Sequence, residues 1–86
     1  MPEKLIGQVT HFYGNIEVAV LKLTGELKVG DEIHFIGHGA DFTQKVESMQ
    51  VEHQQIEVAK SGEQVGLKVE EKVKPGTKVY LVENEE

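Results

Sequence analysis

Four histidines and fifteen carboxylate side chains are the groups in this chain that could do chemistry. His34 and His38 are four residues apart. Four residues of extended strand span about 13 Å, so the two imidazoles share a metal only if the chain turns at Gly37. No third ligand is fixed beside them. Ser48 and His53 are the nearest approach to a hydroxyl with a base beside it, but Ser48 falls at a break in the strand pattern. The other serine, Ser61, belongs to a turn. Glu70-Glu71 and Glu85-Glu86 stand at a strand end and in a tail, where carboxylates are ordinarily solvated; an acid–base pair needs a cleft. Cysteine is absent, which removes thiolate catalysis, disulfides and Cys-ligated zinc. These residues predict no catalytic site, no metal site and no cofactor.

The charge pattern narrows the partners. All nine basic residues are lysines, and the net charge is −6. Without arginine the chain lacks the planar fork that reads phosphate and stacks on bases. Its acidity opposes the long-range attraction behind most nucleic-acid binding. Lys68, Lys72, Lys74 and Lys78 gather around one turn and are the place where RNA could find cations. No apolar run approaches the ~20 residues of a membrane span, and Met1-Pro2-Glu3-Lys4 opens no signal peptide. The expectation is a soluble, cytoplasmic protein with no membrane role. A protein partner fits better than a nucleic acid. The cluster His11-Phe12-Tyr13-Gly14-Asn15 offers a contact: two adjacent aromatics at a hairpin tip cannot both enter the same core. Either both pack over the open end of the barrel, or one plugs it and the other is free for a partner.

The elements that hold these residues follow from turns. Leu27-Lys28-Val29-Gly30, Ala59-Lys60-Ser61-Gly62 and Val73-Lys74-Pro75-Gly76 repeat one phrase, each followed by polar residues and an aliphatic one. Pro75 and Gly76 satisfy the two central positions of a type II turn. The chain therefore reverses into a strand at Gly30, Gly62 and Gly76. Leu5–His11 reads as a first strand, with Leu5, Gly7, Val9 and His11 on one side. Ile16–Leu23 is a second, apolar on both parities, hence buried on both faces or bulged near Val20-Leu21. Glu32–Gly37 is a third. Phe42–Val51 is a long fourth with a bulge near Glu47-Ser48. Glu52–Ser61 reads as a helical turn, since Ile56 and Ala59 are three apart. Val65, Leu67 and Val69 alternate, and Lys78–Val82 ends the series. The 86 residues thus make one all-β domain with no linker and an acidic tail at 83–86. The expected fold is a closed or nearly closed antiparallel barrel of six or seven strands with one short helical turn.

Gly25-Glu26-Leu27-Lys28-Val29-Gly30-Asp31-Glu32-Ile33, Val46-Glu47-Ser48-Met49-Gln50-Val51-Glu52-His53, Gly62-Glu63-Gln64-Val65-Gly66-Leu67 and Pro75-Gly76-Thr77-Lys78-Val79 stand in an order with a known counterpart. From about Ile16 to Val82 the chain resembles the translation-protein β-barrel, the second domain of elongation factor Tu and its archaeal and eukaryotic relatives. In those factors the barrel follows a GTPase domain and lodges the aminoacylated end of tRNA. The resemblance places the carboxylate of that site at Gln50, and its Gly-Arg pair near Val20-Leu21, where no arginine stands. A neutral amide without a basic partner implies no specific aminoacyl-tRNA binding. No P-loop is present, which implies no GTP binding.

Three functions follow as expectations. The first is a non-catalytic binding module that meets an uncharged or basic protein surface through Phe12, Tyr13 and Gln50. The second is an RNA- or ribosome-associated accessory protein. The third is an accessory domain or subunit of an enzyme such as a collagenase-like peptidase, where similar isolated barrels occur.

Overall fold

A computed structural model describes residues 3–83. The acidic tail expected at 83–86 lies, beyond Glu83, outside the described residues. Among the described residues ten strands form: β1 (Glu3–Tyr13), β2 (Val18–Leu23), β3 (Leu27–Lys28), β4 (Glu32–Gly37), β5 (Ala40–Lys45), β6 (Met49–Val51), β7 (Gln54–Ile56), β8 (Val58–Ala59), β9 (Gln64–Lys68) and β10 (Lys78–Val82). Eight of them pair in the order β5-β4-β10-β1-β2-β9-β6-β7, and β3 pairs with β8 in a second sheet. Every pairing is antiparallel.

The chain is all-β, as expected, but it is not a closed barrel of six or seven strands. Hydrogen bonding runs in one open order, and no ladder joins its ends, β5 and β7, among the described residues. The sheet still curls enough for strands from both halves to share one core, with Phe35 of β4 and Met49 of β6 in the same buried cluster. The right-handed twist of strands supplies such curvature without closure.

No helix forms among the described residues, so the helical turn expected over 52–61 is corrected to β7 and β8. The spacing of Ile56 and Ala59 misled because the two residues sit on different strands in different sheets. Their burial comes from two separate pairings, Ile56 with Met49 and Ala59 with Leu27. The long fourth strand is also two strands. Residues 46–48 carry the chain from β5, at one end of the sheet, to β6, near the other. The parity flip between Val46 and Met49, both buried, records that crossing rather than a bulge.

Two irregularities lie where the sequence reads smoothly. β1 shifts register between Leu5 and Gly7 and again between Val9 and His11. Each extra residue resets the side-chain alternation. The core side of β1 is therefore Ile6, Val9 and Phe12, not Leu5, Val9 and His11. The bulge expected near Val20-Leu21 falls on the partner strand instead, where Thr10 Oγ1 donates to the Val20 carbonyl at 3.2 Å.

The turn Lys74-Pro75-Gly76-Thr77 closes with the Thr77 amide donating to the Lys74 carbonyl at 3.0 Å, and Gly76 has φ +96°. It docks on β1 at the bulge: the Gly76 amide donates to the Val9 carbonyl, and the Val9 amide to the Thr77 carbonyl. A Cβ on Gly76 would stand 2.7 Å from Nε2 of His38. The position thus needs glycine for its backbone and for its space.

Where the ladder stops, a side chain takes over. Gln44 of β5 is buried; its Nε2 donates to the Lys68 carbonyl at 2.9 Å, and its Oε1 accepts from the Glu70 amide at 2.8 Å. One primary amide thus ties the β5 end of the sheet to the end of β9. On the outer surface His34 ties three strands together. Its Nδ1 lies 2.8 Å from Glu3 on β1 and its Nε2 2.5 Å from Asp41 on β5. Tyr80 of β10 stands opposite His34 in register. The hydrogen bond to Asp41, aided by Glu3 and opposed by partial burial, raises the His34 pKa above 6.5. Carboxylates on both nitrogens suit an imidazolium, which donates from both.

Three outcomes follow. Gln44→Leu leaves the Lys68 carbonyl and the Glu70 amide without their partner and lowers unfolding free energy in urea by about 1–3 kcal/mol. Gly76→Val costs about 1–3 kcal/mol from backbone strain alone, with displacement of His38 visible as a shift of its ring resonances. A folded-state pKa raised for His34 means its stabilisation is complete below the unfolded-state value, near 6.5, and is lost as pH rises through the folded-state value. Urea titrations from acid to alkaline pH should show wild type losing more stability over that window than His34→Gln.

Candidate functional site

On the convex side of the sheet β2 is apolar where a solvated strand would be polar. Ala19, Leu21 and Leu23 are its buried residues, and Val18 and Val20 point the other way and are half-buried. Register pairs then set three rows across this outer face, because directly opposed residues share a side. Tyr13, Val18 and Lys68 form one row. His11, Val20, Gly66, Gln50 and Gln55 form the middle row. Gln8, Lys22 and Gln64 form the third.

Gly66 is the gap in the middle row. A Cβ there would meet Val18 Cγ1 at 3.4 Å and the Gln50 carbonyl at 4.0 Å, which is ordinary contact, so the site could hold a side chain and does not. The result is an open groove of about 730 Å³ between β2, β9 and the β6–β7 turn. Two exposed apolar residues, Tyr13 (49%) and Ile16 (62%), stand at one end. At the other margin Glu52 and His53 form the two-residue turn of the β6–β7 hairpin, with φ +51° and +65°. Such turns favour Asn-Gly or Asp-Gly, and a non-glycine residue held in the left-handed region is strained. Glu17, next to Ile16, has φ +56° as well. Strained backbone therefore borders the groove on both sides.

The structure brings two of the three expected partner-binding residues together. Tyr13 and Gln50 both line this groove, whereas Phe12 packs against the core. The Tyr13 ring sits 5.7 Å from that of His11. The turn residues Gly30, Gly62 and Gly76 have φ of +97°, +92° and +96°, and Pro75 precedes Gly76 in the turn against β1. Gly62 also reaches the groove's edge.

The residues weighed for chemistry are scattered. Among the described residues no group of three or more His, Cys, Asp or Glu is arranged to hold a metal. His34 is engaged by Glu3 and Asp41, and His38 covers Gly76. Ser48 lines a second hollow, of about 350 Å³, with Glu47 and Glu57, whereas His53 lines the main groove. Sequence reasoning missed Val18, Val20 and Gly66 as parts of a site. The signal is the double apolarity of β2, which fits burial on both faces or a bulge as well as it fits an exposed apolar face.

The comparisons with known proteins agree with one another. The sequence model of the peptidase family U32 C-terminal domain matches residues 3–77. An uncharacterized protease of Methanocaldococcus jannaschii is 42% identical over 78 residues, 90% of this chain and 19% of that protein. A collagenase of Porphyromonas gingivalis is 34% identical over 83 residues, 94% of this chain and 23% of that protein. The chain thus spans about a fifth of the length of these curated relatives. In fold it is similar to the C-terminal domain of a Geobacillus thermoleovorans protein described as a U32 peptidase, with a TM-score of 0.87 and 22% identity over 93% of both chains. The selenomethionine variant of that domain gives 0.85, with 23% identity over 88% of this chain and 96% of that one.

These matches overturn the likeness to the second domain of elongation factor Tu and the translation-protein barrel that went with it. What suggested that likeness was a set of glycine turns entering strands, a device common to many β folds. With a family match over residues 3–77, almost all of the described part, this chain belongs to the peptidase family U32 C-terminal domains.

Proposed function

We propose that the chain is a non-catalytic accessory domain of a collagenase-like peptidase and that it holds polypeptide in the groove between β2, β9 and the β6–β7 turn. The observation that carries this reading is an apolar surface beside a row left open at Gly66: Val18 and Val20 on the outer face of β2, exposed Tyr13 at the end of β1, and exposed Ile16 in the turn between them. Apolar side chains on a strand's solvent face are unfavourable unless something covers them. The relatives named protease and collagenase support a polypeptide as the covering group. Hydrolysis, in this reading, belongs to the remaining length of such proteins. The domain's contribution is to raise the local concentration of the chain to be cut.

Heat-denatured collagen coupled to a resin tests this. Wild-type domain should be retained and should leave the collagen uncut. Gly66→Leu, whose new side chain rises into the groove without entering the core, should elute several-fold earlier with an unchanged circular dichroism spectrum. Absence of retention, or cleavage by the domain alone, would refute the reading.

The strained turn provides a separate check. His53→Gly relieves the left-handed backbone and should raise unfolding free energy by about 0.5–1 kcal/mol. The same change removes a ring from the groove's margin, so retention on the resin should fall while stability rises.

A further inference from the structure

Main-chain hydrogen bonding leaves one place open at the end of the large sheet. β7 is the last strand in its order and pairs on one side only, with β6. The parity of that hairpin decides which groups face the other side. Glu52 and His53 form a two-residue turn, so the flanking pair Val51 and Gln54 hydrogen-bond to each other. In an antiparallel ladder the next pair, Gln50 and Gln55, does not. Gln55 therefore turns its N–H and C=O away from β6, toward the free edge. Glu57, two residues on, faces the same way, and its carbonyl accepts from the Val29 amide at 2.9 Å. Beyond Val29 the chain leaves this line, since Gly30 has φ +97° and donates to the Val46 carbonyl instead. Among the described residues no main-chain group meets Gln55 on that side. The segment of β3 and Val29 thus begins a strand along this edge and stops one hydrogen-bonded position short of Gln55.

The second hollow, of about 350 Å³, is lined by Val29, Gln55 and Glu57, the residues where that strand breaks off. Ile56 adds to its apolar wall, and Glu47 with Glu57 gives it two carboxylates. No lysine or histidine lines it. Neither carboxylate is in an ion pair among the described residues, where the ion pairs found are those of His34. Lys28, beside Val29 in the chain, is in register with Val58, so strand alternation puts it on the face opposite Val29 and Glu57. Lys45, two residues before Glu47, stands opposite Glu32 on β4. The far end of the sheet is guarded, because β5 carries Asp41 and Lys45, and its Gln44 is tied to the Lys68 carbonyl. Gln54-Gln55-Ile56 of β7 has neither charge nor proline, two usual means of blunting an edge.

We propose that β7 accepts an extended basic segment of a polypeptide, which continues the line of β3 and pairs with the main chain of Gln55. The direction follows from β3, which runs antiparallel to β8. The residue of the segment opposite Gln55 exchanges both N–H···O bonds with it. The residue before that one, opposite Ile56, is a lysine or arginine. Its aliphatic stem lies on Val29 and Ile56, and its cationic head reaches Glu47 and Glu57. This contact is separate from the groove at Gly66, since the two hollows share no lining residue.

Fluorescent peptides of Thr and Val with one central Lys test the proposal by anisotropy against the wild-type chain. The Lys peptide should bind about fivefold more tightly than one with norleucine at the centre, as expected for a cation between two exposed carboxylates. A peptide with Glu at the centre should bind more weakly than either. N-methylation of the residue after Lys removes the donor to the Gln55 carbonyl and should weaken binding about tenfold. N-methylation of Lys itself, whose N–H faces away from β7, should change binding little. A Glu47→Gln, Glu57→Gln double variant, altered only at exposed positions, should lose the preference for Lys and still bind the norleucine peptide. Gly66→Leu should leave every one of these results unchanged. Equal binding of the Lys, norleucine and Glu peptides, equal loss from both N-methylations, or loss of binding in Gly66→Leu overturns the proposal. Binding of none of the peptides overturns it as well, whereas the groove reading stands or falls on retention by the collagen resin.

Discussion

A core built from short aliphatics must be enclosed by a sheet that never closes its hydrogen-bond ladder. The rest of the structure depends on how that gap is bridged. Closure would need another run of backbone pairs between β5 and the β6–β9 side. The chain instead sends residues 46–48 across the gap. The Val46 amide donates to the Asp31 carbonyl and the Gly30 amide to the Val46 carbonyl. Beside this crossing, Gln44 presents both its donor and its acceptor to the backbone after β9. A buried amide is costly if half-satisfied and specific if fully satisfied. Here both ends of Gln44 are satisfied, and no buried side-chain polar atom among the described residues lacks a partner. The stacked pair Phe35 and Phe42, 4.9 Å apart, packs on the same two strands, β4 and β5, that this amide anchors.

What was legible in the sequence was local. Gly76 announced its turn because proline and glycine in adjacent positions restrict φ in opposite senses, and that information needs no other part of the chain. The all-β character was equally plain from alternation in segments such as Val65–Val69. What failed was everything that depends on pairing at a distance. The two register shifts in β1 leave its core residues three apart, a spacing that no strand template anticipates. The break at 46–48 resembled a bulge because a strand that changes place and a strand that bulges flip parity alike. The helical turn expected over 52–61 arose from reading Ile56 and Ala59 as one face, when each is covered by a different partner strand.

The candidate site was half legible for the same reason. Tyr13 and Gln50 could be singled out by type and by position, but nothing in the order of residues says that Gln50, Gly66, Val20 and His11 form a single row. That row exists only once β2, β9 and β6 are paired in this register. The family likeness drawn from glycine turns went astray along similar lines. Turns such as those at Gly30 and Gly62 describe how a chain enters a strand, and they are silent on which strand it joins.

Strain and apolar exposure point to the same region, and this joint occurrence is harder to explain as accident than either alone. Nothing in the sheet requires Glu52 and His53 at the tip of the β6–β7 hairpin, since Asn-Gly would adopt the same backbone with less strain. Nothing in the core requires Val18 and Val20 to be apolar, since their side chains leave it. A fold selected for stability alone would relieve both. Each unfavourable choice is local, and each borders the groove around Gly66. Residues that break local rules without a structural return are those expected at a functional surface. Opposite them, His34 with Glu3 and Asp41 illustrates the contrary case. That cluster has the composition of a chemical site, but both imidazole nitrogens are already committed to carboxylates that bind three strands together. Its chemistry is consumed by the fold, whereas the chemistry of the groove is left open.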